Sequence, residues 1–310
     1  MRTPLISNIL RWYANNKRRL PWRNTRNPYR IFISEIMLQQ TQVDRVKVFY
    51  RTWLKQFPTW ESLAAAQTDV LLHAWAGLGY NRRALMVRQA AQQVLATGVP
   101  TTIDEWRALK GVGPYTAAAI YAITAQKRAI VIDTNVRRVA GRLFLGIPYP
   151  TPAQDSRIAR ALDRAMPKND SVWELPQAFM DFGTAQCTST NPQCARCPFQ
   201  SSCRAAKKFL RGTAGKKPRT ASHEHRHPGK PFPDRIYRGR VLAAIRSGTS
   251  YTSRTIGRAV DPSFHPATDA DWMARILHRL TREGFICITR GRLALPHTVS
   301  KKVIHNKNGA

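Results

Sequence analysis

The sequence is short of acidic residues. Its 310 residues include 18 Asp and Glu against 50 Lys and Arg, which gives a formal net charge of +32. A chain this positive repels itself and binds polyanions, so nucleic acid is the first candidate partner and an anionic membrane surface the second. The alternative is a basic tail, or a generally basic composition, without a specific partner.

The sequence also lacks a long apolar run, because no stretch approaches the roughly 20 residues that a membrane-spanning helix needs. Residues 1–4 lead into a mixed segment with Arg11 and Lys17 instead of the apolar core of a signal peptide. We therefore expect a cytoplasmic protein, associated with the nucleoid if the source is bacterial.

Cysteine is scarce, and four of the five residues are crowded into one segment while Cys287 stands alone. Disulfide frameworks are uncommon in reducing compartments, so the crowded set indicates metal. Four thiolates suit a tetrahedral zinc ion or an iron–sulfur cluster, and ligand chemistry alone does not decide between them. The four, spaced C-x6-C-x2-C-x5-C, are Cys187, Cys194, Cys197 and Cys203.

Few stretches alternate with the period of a β-strand, and apolar residues from 5 to about 210 recur at helical spacing. Asn27 before Pro28 predicts an N-cap and a first helical residue, opening a helix that runs through Gln40. Further helices are predicted over residues 42–57, 62–76, 82–97 and 134–143. The predicted fold class is all-α.

The C-terminal third changes character. Residues 207–231 are rich in Lys, Arg, Gly and Pro, which predicts a basic linker. Residues 232–298 predict short helices over 236–247 and 253–260, a third helix with an apolar stripe, and a hairpin that turns at 290–292. This order resembles a winged-helix module whose arginines bind duplex DNA, and the alternative is a protein-docking module. Residues 299–310 form a basic tail.

Glu35 is the only ionisable residue between Arg30 and Asp44, and its neighbours are apolar around nearly the whole helix. This pattern predicts a buried helix. Burial raises the pKa of a carboxyl, so Glu35 stays protonated near neutral pH, as a general acid must. The alternatives are a buried partner for Glu35 or a position facing solvent at the helix edge.

Asp133 follows the apolar run 129–132 and is predicted to be the N-cap of the helix over 134–143. Helix N–H groups at an N-cap favour an ionised carboxylate. Two acids in opposite protonation states are the pair that cleavage of a glycosidic bond requires. Taken alone, however, Asp133 is simply a helix cap.

A glycine-rich turn at residues 109–113 opens onto a helix of small residues. Glycines let the backbone approach a phosphate closely, and the next helix presents unpaired N–H groups. The alternative is an ordinary tight turn between two helices. The candidate phosphate contacts are Lys110, Gly111, Val112 and Gly113.

Three segments and the cysteine loop together resemble MutY-type adenine DNA glycosylases of the endonuclease III, or helix-hairpin-helix, superfamily. The segments are residues 34–43 (SEIMLQQTQV), 109–120 (LKGVGPYTAAAI) and 132–139 (IDTNVRRV). Thr134 stands where the family usually has Gly. The resemblance covers about residues 6–210 and implies a two-lobed glycosylase fold in residues 1–206. It implies a six-helix lobe over about 20–135, a lobe from 1–19 and 136–206, and a [4Fe–4S] cluster on the four cysteines.

The resemblance also implies the roles of four residues. Glu35 protonates adenine and later helps to activate water, while Asp133 stabilises or traps the sugar cation. Tyr115 and Asn135 orient the two carboxylates. Glycosylases that also cut the strand carry a nucleophilic lysine where this chain has Tyr115, so the resemblance implies a monofunctional hydrolase.

Further positions match family residues that bind the extruded base or the DNA around it. Trp22, Arg23, Leu38 and Gln177 match the adenine pocket; Gln40, Leu78 and Tyr80 match the wedge; Arg196 lies in the cysteine loop. Trp22 and Tyr80 could equally be core aromatics. Thymine-mismatch glycosylases have two arginines where this chain has Gln39 and Gln40, which favours adenine.

The resemblance ends before the C-terminal third, where the family usually has a domain that reads 8-oxoguanine. Residues 232–298 are too few for that domain and have a different pattern. We therefore expect a monomeric enzyme that excises adenine opposite 8-oxoguanine or guanine in duplex DNA. The alternatives are a thymine or uracil mismatch glycosylase and a non-catalytic iron–sulfur DNA-binding regulator.

Overall fold

A computed structural model describes residues 4–218 and 224–296. Residues 4–218 are helical almost throughout. Their helices are α1 (Pro4–Asn16), α2 (Pro28–Leu38), α3 (Val43–Gln56), α4 (Trp60–Ala64), α5 (Thr68–Ala74), α6 (Arg82–Thr97), α7 (Ile103–Ala108), α8 (Pro114–Thr124), α9 (Thr134–Leu145), α10 (Asp155–Ala165), α11 (Leu175–Ala185) and α12 (Ala206–Leu210). In the part of the chain that the structure describes, no helix has the length and apolarity needed to span a membrane.

The chain forms two compact units. The first comprises Met1–Glu61 and Gln89–Ala221, and the second comprises Ser62–Arg88 and Ser222–Ala310. The second unit therefore combines an internal segment of the chain with its C-terminal part.

Helix α2 begins and is buried as the sequence predicts. Asn27 is the N-cap, and its side-chain oxygen accepts a hydrogen bond from the Arg30 N–H at 3.1 Å. All residues from Tyr29 to Met37 other than Arg30 are buried. The helix packs on α3 and α8, and its Phe32 ring contacts the rings of Trp60 and Trp106. Leu38 is the last helical residue, two positions earlier than predicted.

A second core in the first unit joins α1, α9, α10 and α11. Val139 on α9 and Phe179 and Phe182 on α11 are almost fully buried there. Helix α9 can approach its neighbours closely because Gly141 has no side chain: an added Cβ would lie 2.8 Å from Pro150. This core fixes the start of α9, where Asp133 lies, relative to α11.

We predicted a single helix over residues 62–76, and this prediction is wrong, because two short helices, α4 and α5, occupy this stretch. Gln67 between them has extended backbone angles (φ −68°, ψ 150°) and serves as the N-cap of α5. The apolar spacing continues through this break, so periodicity alone does not detect it.

The C-terminal part of the second unit consists of α13 (Asp234–Arg246), β1 (Tyr251–Thr252), α14 (Ile256–Val260), α15 (Pro266–Arg282), β2 (Cys287–Thr289) and β3 (Arg292–Ala294). The strands form an antiparallel sheet in the order β1-β3-β2. Three helices with one strand between the first two and a terminal hairpin make a winged helix, as the sequence predicts. The hairpin turns at Arg290 and Gly291, whose φ angles are 50° and 73°.

Part of the segment that we predict to be a linker folds with this module. Lys230 is 7% exposed, and its ammonium lies 2.7 Å from the carboxylate of Asp261 and 2.5 Å from that of Asp269. Residues 297–310, which include the predicted basic tail, lie outside the described residues.

Candidate active site

Glu35 lies on the buried helix α2 and is 9% exposed. The pKa of its carboxyl is raised to about 7, mainly by burial and also by the charge of Asp133, while Arg23 opposes the shift. A substantial fraction of Glu35 therefore remains protonated at neutral pH, which an exposed glutamate would not.

Asp133 is the N-cap of α9, as predicted from the sequence. Its Oδ1 accepts a hydrogen bond from the Val136 N–H at 2.6 Å, and its Oδ2 accepts one from the Asn135 side-chain amide at 2.8 Å. Both contacts hold the Asp133 side chain in place at the start of α9. The site thus combines one carboxyl that is buried in a helix with another that accepts two hydrogen bonds.

Tyr115 lies in the first turn of α8, directly after the glycine-rich turn. Burial raises the pKa of its phenol well above 10, and the charges of Glu35 and Asp133 add to the effect. Its hydroxyl lies 4.0 Å from the sulfur of Met180. The structure therefore brings Glu35, Asp133 and Tyr115, which are distant in sequence, into one electrostatic environment.

Arg138 connects this site to the cysteine loop, and the sequence analysis did not identify it. Its Nη2 donates to Asn135 Oδ1 at 2.9 Å and to the Gly183 carbonyl at 2.7 Å, and its Nε donates to the Cys187 carbonyl at 2.8 Å. A continuous chain of hydrogen bonds thus runs from Asp133 through Asn135 and Arg138 to the first cysteine.

Gly183 leaves the space that this chain occupies. A Cβ at position 183 would lie 2.9 Å from Arg138 Nη2 and 3.2 Å from the Cβ of Asn135. Any side chain there would displace the groups that hold Asp133.

Asp181 is a second buried acid that the sequence analysis missed, at 2% exposure. Arg23 donates to both of its oxygens, at 2.6 and 2.9 Å, and Arg18 Nε donates at 2.7 Å. Burial alone would raise the pKa of Asp181, but the hydrogen bonds from Arg23 and Arg18 lower it overall. Asp181 is the only acid in the apolar helix α11, the same signal that identified Glu35.

Two of the predicted pocket residues share a cavity of about 810 Å³, which Arg23 and Gln177 line together with Arg18, Arg26 and Trp173. Gln177 accepts a hydrogen bond from the Tyr13 hydroxyl at 3.1 Å. This cavity is basic and has an aromatic wall.

The other two predicted pocket residues differ in their surroundings. Trp22 is 5% exposed and packs edge-on against Tyr50 in the core, with ring centroids 5.5 Å apart. Leu38 is half-buried at the end of α2. The geometry of Trp22 is therefore that of a core aromatic.

The predicted wedge residues lie in turns. Gln40, in the first unit, and Tyr80, in the second, are exposed and have left-handed φ angles of 56° and 46°. Residues other than glycine are uncommon in this region, and such positions cluster at functional sites. Leu78, by contrast, is 2% exposed, so it does not project into solvent as a wedge would.

The glycine-rich turn has the geometry expected of a phosphate contact. Gly111 has a φ of 82°, Val112 is buried beneath the turn, and Lys110 is exposed. Gly113 is the N-cap of α8 and has no side chain to cap the helix N–H groups. A backbone phosphate can therefore approach these N–H groups directly.

The four clustered cysteines are free of disulfide bonds and line one cavity. Arg142, which is 1% exposed, lies beside them: Nη1 donates to Cys187 Sγ at 3.3 Å and to the Thr188 carbonyl at 2.7 Å. Arg196 is exposed in the 3-10 turn of the same loop.

Four thiolates in one loop are a donor set that suits an iron–sulfur cluster. Among the described residues, no group of three or more His, Cys, Asp or Glu side chains is arranged to hold one metal ion. The buried Arg142, which donates to Cys187 Sγ, would balance negative charge on the sulfurs.

Comparison with known proteins agrees with this geometry. Residues 33–167 match the family model of the HhH-GPD superfamily base excision DNA repair proteins. The chain is 34% identical to the adenine DNA glycosylase of Mycolicibacterium smegmatis, over 79% of this chain and 82% of the relative. It is 32% identical to that of Mycobacterium tuberculosis (strain H37Rv), over 94% of this chain and 93% of the relative. The second alignment reaches into the C-terminal module.

Solved structures show the same fold. A thermostable thymine-DNA glycosylase matches 67% of this chain and 97% of its own, with 26% identity and a TM-score of 0.59. Endonuclease III, solved as a trapped covalent complex with DNA, matches 66% of this chain and 95% of its own, with 23% identity and a TM-score of 0.57. Proteins with this fold commonly carry an iron–sulfur cluster.

The fold and the paired acids define a DNA glycosylase of the helix-hairpin-helix class, an enzyme whose substrate is DNA. More specifically, the chain belongs to the adenine DNA glycosylases of the HhH-GPD superfamily.

Proposed function

We propose that this protein removes adenine that is mispaired with 8-oxoguanine or guanine in duplex DNA, as the first step of base excision repair. The observation that carries the proposal is the pairing of Glu35, whose pKa is raised to about 7, with the hydrogen-bonded Asp133. Acid-catalysed cleavage of an N-glycosidic bond needs one carboxyl that gives a proton and one that stays ionised.

In the proposed reaction, Glu35 transfers its proton to a ring nitrogen of adenine, and the N-glycosidic bond breaks with its electron pair going to the base. Asp133 stabilises the positive charge left on the sugar. Water then adds to the sugar, and the Glu35 carboxylate accepts its proton. Asn135, which donates to Asp133 at 2.8 Å, holds that carboxylate in place, and Tyr115 orients the pair.

The adenine must first leave the double helix, at a cost of a few kcal/mol. The basic cavity that Arg23 and Gln177 line is the proposed receiving pocket. Gln40 is proposed to contact the bases beside the gap. Tyr80, which is exposed in its own turn, remains a predicted wedge residue, whereas Leu78 in the same turn is buried. The proposed active species is a monomer.

The enzyme is proposed to leave the abasic site uncut, because Tyr115 offers no amine to form a Schiff base. Cleavage of the product strand should require added alkali. Strand cleavage by the purified protein without alkali, at the same rate as base release, would show that this part of the proposal is wrong.

We propose that Cys187, Cys194, Cys197 and Cys203 hold a [4Fe–4S] cluster. When bound, such a cluster would hold the fold of the loop that carries Arg196, a candidate contact to the DNA backbone. Purified protein should contain about four irons per chain and absorb visible light. Cys197→Ser should lose most of this iron, whereas Cys287→Ser should keep it. Equal iron content in the two variants would contradict the assignment.

Thymine opposite guanine is the second candidate substrate, since a solved thymine-DNA glycosylase is 26% identical to this chain. The two candidates are separated by an excision panel on duplexes with A:8-oxoguanine, A:G, T:G and U:G pairs. We expect release from the two adenine duplexes. Release of thymine or uracil alone would favour the second candidate, and tight binding without any release would indicate a non-catalytic regulator.

A further inference from the structure

Helix α15 has one apolar face and one basic face. Its buried apolar residues are Trp272, Met273, Ile276, Leu277 and Leu280, and Asp269 is buried near its start. Arg275, His278, Arg279 and Arg282 are exposed, and at 3.6 residues per turn they project from the side opposite this core. In a winged helix, this third helix is the one that can enter a groove of DNA.

One acid of the module, Asp271, is exposed on this face beside Arg275 and His278, and the three arginines still leave the face with an excess of positive charge. The other five acids of residues 224–296 are in ion pairs. The pairs are Asp261 and Asp269 with Lys230, Asp234 with His225, Glu224 with Arg235, and Glu283 with Arg238. None of the residues that the structure describes forms an ion pair with Arg275 or Arg279.

The hairpin of β2 and β3, which is the wing of the module, follows α15 in the chain and carries two further arginines. Arg290 is exposed at the turn between β2 and β3, with a left-handed φ of 50°. Arg292 follows on β3, where its Nη1 donates to Ser250 Oγ at 2.5 Å and ties the hairpin to the start of β1. A two-residue turn of this kind holds the tip rigidly.

We propose that α15 and the wing form a second duplex-DNA surface, with α15 in the major groove and Arg290 on a flanking phosphate. The major groove, about 12 Å wide, admits one α-helix, and arginine binds phosphate in a bidentate manner. The arginines of this face are proposed to bind phosphates, which are present at any sequence, and this suits an enzyme whose lesions occur anywhere. The inference rests on the proposed function for its choice of duplex substrate.

The test is binding of the full-length protein to a fluorescent duplex without a mispair, measured by anisotropy at several salt concentrations. Arg275→Gln/Arg279→Gln/Arg290→Gln should bind at least about tenfold more weakly, and its salt slope should fall by roughly 2 to 3, because each phosphate contact contributes about 0.9. Single-turnover excision at saturating protein should stay within about twofold of wild type. The exposed side chains make no contribution to the module's core, so its melting temperature should not change.

Two control variants separate a specific face from diffuse charge. Arg275→Lys/Arg279→Lys/Arg290→Lys keeps the charge and should retain most of the binding. Arg157→Gln/Arg160→Gln/Arg164→Gln removes three exposed charges from α10 in the first unit and should change the salt slope less. An equal loss in this second control, or an unchanged slope in the α15 variant, would overturn the proposal.

Competitors test the choice of partner. Double-stranded RNA should compete poorly, because the deep, narrow major groove of A-form helices excludes side chains. If the α15 variant loses binding to double-stranded RNA or to anionic vesicles but not to duplex DNA, the surface serves another partner. Failure of the proposed function is distinguishable, since the wild-type protein would then release no base while the difference in DNA binding remained.

Discussion

The surroundings of the two acids differ in kind. Glu35 lies in the middle of a buried helix, where apolar neighbours raise the pKa of its carboxyl to about 7. Asp133 lies at the end of a helix, where Val136 and Asn135 donate to its oxygens. The two carboxyls thus have opposite surroundings, since one is shielded from water and the other accepts two hydrogen bonds. The difference teaches that position on a helix decides what surrounds a carboxyl, and the opposite roles proposed for these two acids depend on it.

The largest expected effect comes from removing the proton donor. Glu35→Gln keeps the shape of the side chain but cannot give a proton at neutral pH, so single-turnover excision of adenine should fall by about 10³-fold or more. The binding affinity for the mispaired duplex should change by less than about fivefold. Excision by the variant at more than a tenth of the wild-type rate would show that Glu35 is not the proton donor.

Replacing Asp133 should lower the rate of excision less than replacing Glu35. Asp133→Asn loses the negative charge that stabilises the sugar cation, and excision should fall by about 10²-fold. Asparagine is as good an N-cap as aspartate, so the melting temperature should remain close to wild type. A large drop in melting temperature together with normal excision would assign Asp133 to helix capping alone.

The burial of Glu35 should also cost stability at high pH. Its folded pKa of about 7 lies above the unfolded value, so the folded state binds the proton more tightly between pH 4.5 and 7. As pH rises through this window, wild type loses up to about 3 kcal/mol of stability that Glu35→Gln does not lose. The variant should therefore melt above wild type at pH 8, and the difference should shrink toward pH 4.5. A constant difference across this range would show that the carboxyl is not buried.

The smallest expected effect is a shift in the pH profile of the excision rate when Asp133 is replaced. Excision should fall about tenfold per pH unit above the pKa of Glu35, because the protonated form is the donor. The charge of Asp133 contributes to that raised pKa, so Asp133→Asn should move the falling limb to lower pH. The residual activity of Asp133→Asn, followed from pH 5 to 9, tests this. A limb that stays in place would show that the two acids do not interact.

Local features of this molecule were predictable and distant pairings were not. The N-cap Asn27, the buried helix around Glu35 and the wing turn at Arg290 each depend on neighbours in sequence, and all three are confirmed. The break at Gln67 was missed because no Gly or Pro marks it.

The pairing of Arg23 with Asp181 joins residues 158 positions apart, which no local pattern reveals. Asp181 itself could have been found, since it is the lone acid of an apolar helix, as Glu35 is in α2. The signal identifies a buried acid but not its partner. For that reason the sequence predicted the two carboxyls that are proposed to react and missed Arg138 and Gly183, whose contacts join distant parts of the fold.

The hydrogen-bond chain that ends at Cys187 attaches to that residue's carbonyl oxygen rather than to its sulfur. The support given to Asp133 is therefore sensitive to the path of the loop's main chain, whatever the thiol is bound to. A protein whose cysteine loop has unravelled would keep every reacting side chain and still hold one of them loosely. Such a protein would have the correct amino-acid sequence, yet we expect it to excise adenine poorly.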